Sequence, residues 1–166
     1  MAGNMFINMG GDIKGESAAV KNKDDIEMLS WSHSFNQPTS PTRTSAGAGT
    51  VEKAHHSDFS FTKYMDSSSI PILKSCWTGK QIVKCVVNCY RADGKEDAAL
   101  KYLEITLEEV VISNVSIGGG QGDIPTENIS LNYGKITYNY NPQKKDDGSG
   151  TGNKPVSHDL NANKVS

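Results

Sequence analysis

The chain has 166 residues, a formal net charge of −2 and 36% hydrophobic residues, enough for one domain with a core of its own. The charge makes no case for nucleic acid or an anionic membrane as a partner, and no apolar run approaches the length that spans a bilayer, so no membrane insertion is expected. The start, Met1-Ala2-Gly3-Asn4-Met5-Phe6, lacks the basic and apolar parts of a secretory signal, so export by a cleaved leader is not expected.

In chain order, residues 5–9 predict a short strand and 10–25 a polar loop containing Asp12-Ile13-Lys14-Gly15-Glu16-Ser17. Residues 26–35 alternate: Leu29, Trp31 and Phe35 share one face with His33, while Ser30, Ser32 and Ser34 take the other. Residues 36–50 are rich in Pro, Ser, Thr and Gly without periodicity, which predicts a long exposed loop that is functional or mobile. A strand over 51–63 puts Val51, Phe59 and Phe61 inward.

The only helix predicted runs over 66–77. Asp66 or one of Ser67 to Ser69 caps it, Pro71 suits its first turn and Gly79 its stop. Ile72, Leu73, Cys76 and Trp77 form its apolar stripe.

A strand over 82–91 aims Val83, Cys85, Val87 and Cys89 inward, and Ala92-Asp93-Gly94-Lys95 signals a hairpin turn. The long strand region 100–117 carries Leu103, Ile105, Leu107, Val111, Val115 and Ile117 in one parity, with a bend or bulge expected near Glu109. Residues 118–123 form a glycine-rich loop. The last strand, 126–140, changes parity at Gly134, where a bulge is expected. The domain is therefore expected to occupy 1–143, with a flexible tail over 144–166.

Familiar catalytic constellations are missing. His55 and His56 are adjacent on a strand and diverge, and no third ligand joins His56 and Asp58, so no metal site is expected and the pair reads as a surface feature. Thr78-Gly79-Lys80 is followed by Gln81, and Lys74 stands where a phosphate loop needs glycine. Glu108 and Glu109 diverge as strand neighbours, and no Gly-x-Ser-x-Gly frames a nucleophile. Asn114-Val115-Ser116 and Asn128-Ile129-Ser130 match the glycosylation pattern by accident of strand composition.

Three cysteines, Cys76, Cys85 and Cys89, read as small buried hydrophobes in a reducing compartment. Four strand residues separate Cys85 from Cys89 by roughly 13 Å, against the ~7 Å that a disulfide tolerates. No catalytic residue, no cofactor and no enzyme activity are expected. The residues alone give a mostly β, antiparallel domain with one helix and do not name a task.

The ordered set Met5-Phe6-Ile7, Gly11-Asp12-Ile13-Lys14-Gly15-Glu16-Ser17, Leu29-Ser30-Trp31-Ser32, Asp58-Phe59-Ser60-Phe61-Thr62-Lys63-Tyr64-Met65-Asp66, Thr78-Gly79-Lys80, Tyr102-Leu103-Glu104-Ile105-Thr106-Leu107, Thr126-Glu127-Asn128-Ile129-Ser130-Leu131-Asn132 and Tyr140-Asn141-Pro142-Gln143 resembles the haemolysin-coregulated protein family, the tube subunit of bacterial type VI secretion. The resemblance covers roughly residues 5–143. It implies a small antiparallel β-barrel with one flanking α-helix, similar to phage tail-tube subunits. Six copies would form a ring and rings would stack into a tube, tipped by a trimeric spike protein and driven by a contractile sheath. The subunit would stand in the bacterial cytoplasm before firing and then be secreted or injected into a target cell, with effector proteins carried in the lumen.

On that resemblance, Ser30, Ser32 and Ser34 are expected to face the lumen, with an exposed outer face as the competing reading. The loop over 36–50 is expected to contact neighbouring subunits and rings through Gln37, Thr39, Thr42, Arg43 and Thr44. A monomeric ligand-binding domain, for instance one for carbohydrate, is the alternative. It would need exposed aromatics, and Trp31 and Trp77 are both expected in core stripes.

Overall fold

The structure, a computed structural model, describes residues 4–39, 52–92, 99–146 and 148–166. The strands are β1 (Met5–Asn8), β2 (Ile26–Glu27), β3 (Ser30–Ser32), β4 (Phe35–Asn36), β5 (His55–His56), β6 (Phe59–Tyr64), β7 (Gln81–Ala92), β8 (Ala99–Gly118), β9 (Thr126–Asn132), β10 (Lys135–Tyr140), β11 (Lys154–Asp159) and β12 (Lys164–Val165), with one helix, α1 (Ser69–Thr78). The domain is mostly β, the strand pairings among the described residues are all antiparallel, and α1 packs against β8.

The ladder curls without closing into a complete barrel. β1 pairs with β7 and β7 with β8; β8 pairs with both β9 and β10; β9 pairs with β6 and β6 with β3. The seam between β1 and β6 is spanned by residues 26–32, whose start pairs with β1 and whose end pairs with β6. At the crossing the Met28 N–H donates to the Met5 carbonyl at 2.9 Å and the Leu29 N–H to the Thr62 carbonyl at 2.8 Å. This change of partner breaks the alternation expected for 26–35. Met28 is buried and Leu29 exposed, Trp31 is half-buried and stacked on Phe59, and Phe35 is exposed.

The bend expected near Glu109 is present: Glu109 has φ 56. Both strands of the β7–β8 pair change parity there, so Ile82 and Cys85, like Leu107 and Val110, all turn inward. Val83 is consequently 84% exposed rather than in the core, and Ile112, not Val111, is buried. The bend lets one strand serve two partners, with residues 103–108 on β10 and 111–118 on β9. Gly134 lies at the junction of those partners, where a β-carbon would collide with the Glu109 carboxylate.

The helix turns a different arc inward from the one its apolar residues predict. Ser68, Ser69, Ile72 and Ser75 are buried, whereas Trp77 is 79% exposed. Asp66 caps the start: its Oδ1 accepts the Ser68 N–H at 2.9 Å, and Ser69 Oγ accepts the Asp66 N–H at 3.1 Å. Gly79, with φ 64, ends the helix. The loop over 10–25 docks on this start, through the Ser67 N–H to Glu16 Oε1 at 3.0 Å. Gly15 is obligatory in that loop because any β-carbon would meet the Asp25 carbonyl.

The flexible tail expected over 144–166 is corrected for much of its length. β11 pairs with β10 from Lys135↔Asp159 to Tyr140↔Lys154, and β12 folds back on β11. The signal is faint because β11 lies near the sheet margin and none of it is fully buried, so it carries no apolar alternation. The hairpin turn expected at 92–95 falls largely outside the described residues. Cys85 and Cys89 are buried free thiols, Cys76 is half-buried, and burial pushes the Cys85 thiol up to about 12.

Candidate functional site

β3, β6, β9 and β8 lie side by side, and their registers align two rows across the sheet. One runs Ser32, Ser60, Ser130, Asn114; the other runs Ser30, Thr62, Asn128, Ser116. All eight side chains are small to medium, polar and uncharged. Ser60 and Ser130 hydrogen-bond at 2.9 Å, and Asn128 Nδ2 donates to Thr62 Oγ1 at 3.5 Å. The opposite face of the same strands is core: Phe59, Phe61, Ile129 and Leu131 are at most 1% exposed. Serine and asparagine are not the residues that strengthen strands, so this face is composed for something other than sheet stability. At its margin Asp58 is engaged by Asn132 Nδ2 at 3.0 Å and by Ser113 Oγ.

The structure brings Ser30 and Ser32 into these rows. Ser34 lies beyond β3, exposed, with its N–H on Ser57 Oγ at 2.9 Å. Of the loop residues, Gln37 is exposed and its Nε2 donates to the Pro38 carbonyl at 3.3 Å and to the Glu52 carbonyl. Thr39 is exposed. Thr42, Arg43 and Thr44 lie outside the described residues. Sequence reasoning missed Asn114, Ser116, Asn128 and Ser130, although the signal was present: two polar-apolar-polar triplets, Asn114-Val115-Ser116 and Asn128-Ile129-Ser130, fill neighbouring strands in register.

Beneath one end of this face is a buried charge cluster. Lys63 is fully buried, and its Nζ reaches Glu127 Oε2 at 2.6 Å, Asp66 Oδ1 at 2.8 Å, Ser69 Oγ at 3.1 Å and the Tyr64 carbonyl at 3.1 Å. Ser69 Oγ in turn donates to Glu127 Oε2 at 2.9 Å. Three elements, β6, the start of α1 and β9, are joined at one ammonium. The strand-to-helix tract Phe59 to Asp66 places Lys63 inward and Asp66 at the helix cap, which is why strand and helix join without a loop.

A second polar network lies at the other end. His33 Nδ1 is 2.7 Å from Tyr138 Oη, His33 Nε2 is 2.7 Å from Tyr133 Oη, and His56 Nδ1 is 2.8 Å from Tyr133 Oη. His56 Nε2 faces His158 Nδ1 at 2.9 Å, and His158 Nε2 is 3.4 Å from Asn163 Oδ1. Burial lowers His33 from 6.5 to about 4, against a smaller opposing effect of the Ser57 carbonyl. Burial, then the proximity of His158 and Lys53, also lowers His56. Burial pushes Tyr138 up to about 12 and Tyr133 higher still, so both phenols keep their protons as donors. The reading of His55-His56 as a surface pair therefore holds for exposed His55 and fails for His56. Among the described residues no three His, Cys, Asp or Glu side chains converge as metal ligands.

The family model described as "Type VI secretion system effector, Hcp" matches residues 6–140. The chain is 38% identical over 147 residues to protein hcp1 of Pseudomonas aeruginosa, covering 88% of each. Among solved structures, Hcp1 from Salmonella typhimurium superposes with a TM-score of 0.80 at 27% identity over 100% of both chains. A type VI secretion effector from Yersinia pestis superposes at 0.69 and 30% identity, over 93% of this chain and 98% of its own. A structure described as a type six secretion system protein superposes at 0.89 with 23% identity, over 99% of this chain and 100% of its own, a likeness of fold. With a curled antiparallel sheet, one flanking helix and a family match over most of its length, the chain belongs to the Hcp family of type VI secretion proteins.

Proposed function

We propose that this chain is a structural, non-catalytic subunit of the type VI secretion inner tube. Six copies close into a ring, rings stack, and the tube meets a trimeric spike, a contractile sheath and effector cargo, passing from the cytoplasm to the outside or into a target cell. The observation that carries this reading is the pair of uncharged rows across β3, β6, β9 and β8. A channel that must pass unlike cargo is best lined by groups that hydrogen-bond weakly and hold no charge, since a charged wall would retain opposite charge and repel like charge. On this reading Ser30 and Ser32 face the lumen, and the neighbouring Gln37 and Thr39 lie toward the inter-subunit contacts.

The test is mass in solution by light scattering, with negative-stain images of the same sample. The expected result is a closed ring of six times the 17.9 kDa subunit mass with an open centre. A monomer at high concentration overturns the proposal. Ser32→Arg is expected to preserve the ring and weaken retention of cargo; unchanged cargo retention removes Ser32 from the lumen. A monomeric carbohydrate-binding domain is the second reading, favoured by the 79% exposure of Trp77. A monomer whose tryptophan fluorescence shifts with an oligosaccharide, and does not in Trp77→Ala, would establish it.

A further inference from the structure

The β4–β5 pair and the β11–β12 hairpin, far apart in the chain, meet at a side-chain contact between imidazoles. His56 stands on β5 and His158 on β11, and His56 Nε2 faces His158 Nδ1 at 2.9 Å. Two ring nitrogens at that distance need one proton between them. The whole chain from Tyr138 to Asn163 accepts a single consistent assignment: each histidine is neutral and protonated on Nε2. Tyr138 donates to His33, His33 to Tyr133, Tyr133 to His56, His56 to His158, and His158 to Asn163. Five contacts are thereby satisfied with five protons.

We propose that the His56–His158 contact is a proton-operated latch that docks the C-terminal hairpin on the β4–β5 pair and releases it on acidification. One added proton can be shared by the two rings. A second leaves N–H facing N–H, with two positive charges at hydrogen-bond distance. The surrounding charges decide how costly this is. From the 53–58 segment come Lys53 and Asp58; Lys53 disfavours protonation of His56, while Asp58 favours that of His33. From the end of β9 and from β10 come the phenols Tyr133 and Tyr138, and from the segment after β3 comes His33. On the hairpin side are Asp159, engaged by the Asn161 and Ala162 N–H groups, and Lys164, its ladder partner. Across the hairpin turn, Glu109 of β8 accepts from Asn161 Nδ2 at 2.7 Å. No carboxylate makes a hydrogen bond or ion pair with either ring among the described residues, so none of these contacts compensates the second charge.

What remains after release also follows from the contacts. The backbone ladder from β11 to β10, the Leu160 N–H on the Gly134 carbonyl at 2.9 Å and the Lys53 ammonium on the Leu160 carbonyl at 2.7 Å carry no histidine, so without the latch the hairpin stays attached on average but its ladder opens more often. The hairpin therefore loosens locally and the rest of the sheet keeps its pairing. Lowered proton affinity at His33 and His56 agrees with the neutral chain.

Hydrogen exchange on the full chain tests this, with rates converted to protection factors to remove the intrinsic effect of pH. Between about pH 7.5 and about pH 4.5, protection of the β11 amides is expected to fall by about tenfold or more, while amides of β7 and β8 hold. His158→Gln keeps an acceptor for His56 Nε2–H and is expected to abolish the difference. Should that variant lose the hairpin already at the higher pH, His56→Gln decides, with retained β11 protection at the lower pH expected. In the wild type, nitrogen spectra of the imidazoles at the higher pH are expected to show His56 and His158 each carrying its proton on Nε2. Equal β11 protection at both pH values, an equal fall in the Gln variants, a fall shared by β7 and β8, or either ring protonated on Nδ1 at the higher pH would each overturn the proposal.

Discussion

The Lys63 cluster and the His33–His56–His158 network sit at opposite ends of one sheet and solve the burial of polar groups in opposite ways. The first buries full charges and pairs them: one ammonium against two carboxylates, with Lys63 and Glu127 almost without exposure. The second stays half-buried and neutral, passing one proton per contact along three histidines and two tyrosines. A buried charge pair costs heavily when one member is lost, because the other stays behind uncompensated. A neutral chain leaves no stranded charge when it is interrupted at one point and is vulnerable instead to added protons. The first is thus a fastener of β6, α1 and β9, and the second a conditional contact.

Breaking the fastener should give the largest effect. Lys63→Met is expected to lower unfolding free energy by about 3–5 kcal/mol, since it leaves the buried Glu127 carboxylate with the Ser69 hydroxyl but no countercharge. Urea denaturation measures it. Adding Glu127→Leu to Lys63→Met should restore part of that loss, and a double variant no better than the single would show that packing, not charge, is what Lys63 supplies.

Acidification sharpens the contrast on the other side. His33 keeps a pKa of about 4 in the fold against 6.5 unfolded, and His56 is lowered in the same direction. The unfolded chain binds protons first, so this stability is complete above about pH 6.5 and is lost as pH falls toward 4. With His33 only half-buried, the loss should be on the order of 1–2 kcal/mol after solvent screening. His33→Phe should remove most of the histidine-dependent slope in a series of melts across that window.

The smallest effect belongs to the polar rows. Ser130→Ala removes one partner of the Ser60 contact at a partly exposed site and should cost no more than about 0.5–1 kcal/mol. A much larger loss would mean that the rows hold the sheet together, and would weaken their reading as a working surface.

Much of the fastener was legible in the residues, and little of the conditional contact was. Phe59 to Asp66 alternates cleanly and then runs into helix-capping residues, so the join is written locally. Gly134 and Glu109 were legible for a similar reason, since a break in parity marks where a strand must bend. The histidine network was not, because its members are separated by 102 residues between His56 and His158, and β11 carries no periodicity of its own. Val83 and Trp77 misled because each completes a local apolar stripe. The bend at Glu109 flips the first outward, and three small serines, Ser68, Ser69 and Ser75, with Ile72, not the aromatics, mark the inward side of the helix and its start.

The bend in β8 also bears on how the domain assembles in time. β7 and β8 are consecutive strands of the chain and can pair early, whereas β10 and β9 must both find the same strand, on either side of Glu109. Their order is set by Gly134, which allows no register error, because a slip of one residue would drive a side chain into the Glu109 carboxylate. The slow step of folding should therefore be the simultaneous seating of residues 126–140 on the bent strand. Substitutions at Gly134 should accordingly slow refolding more than they hasten unfolding.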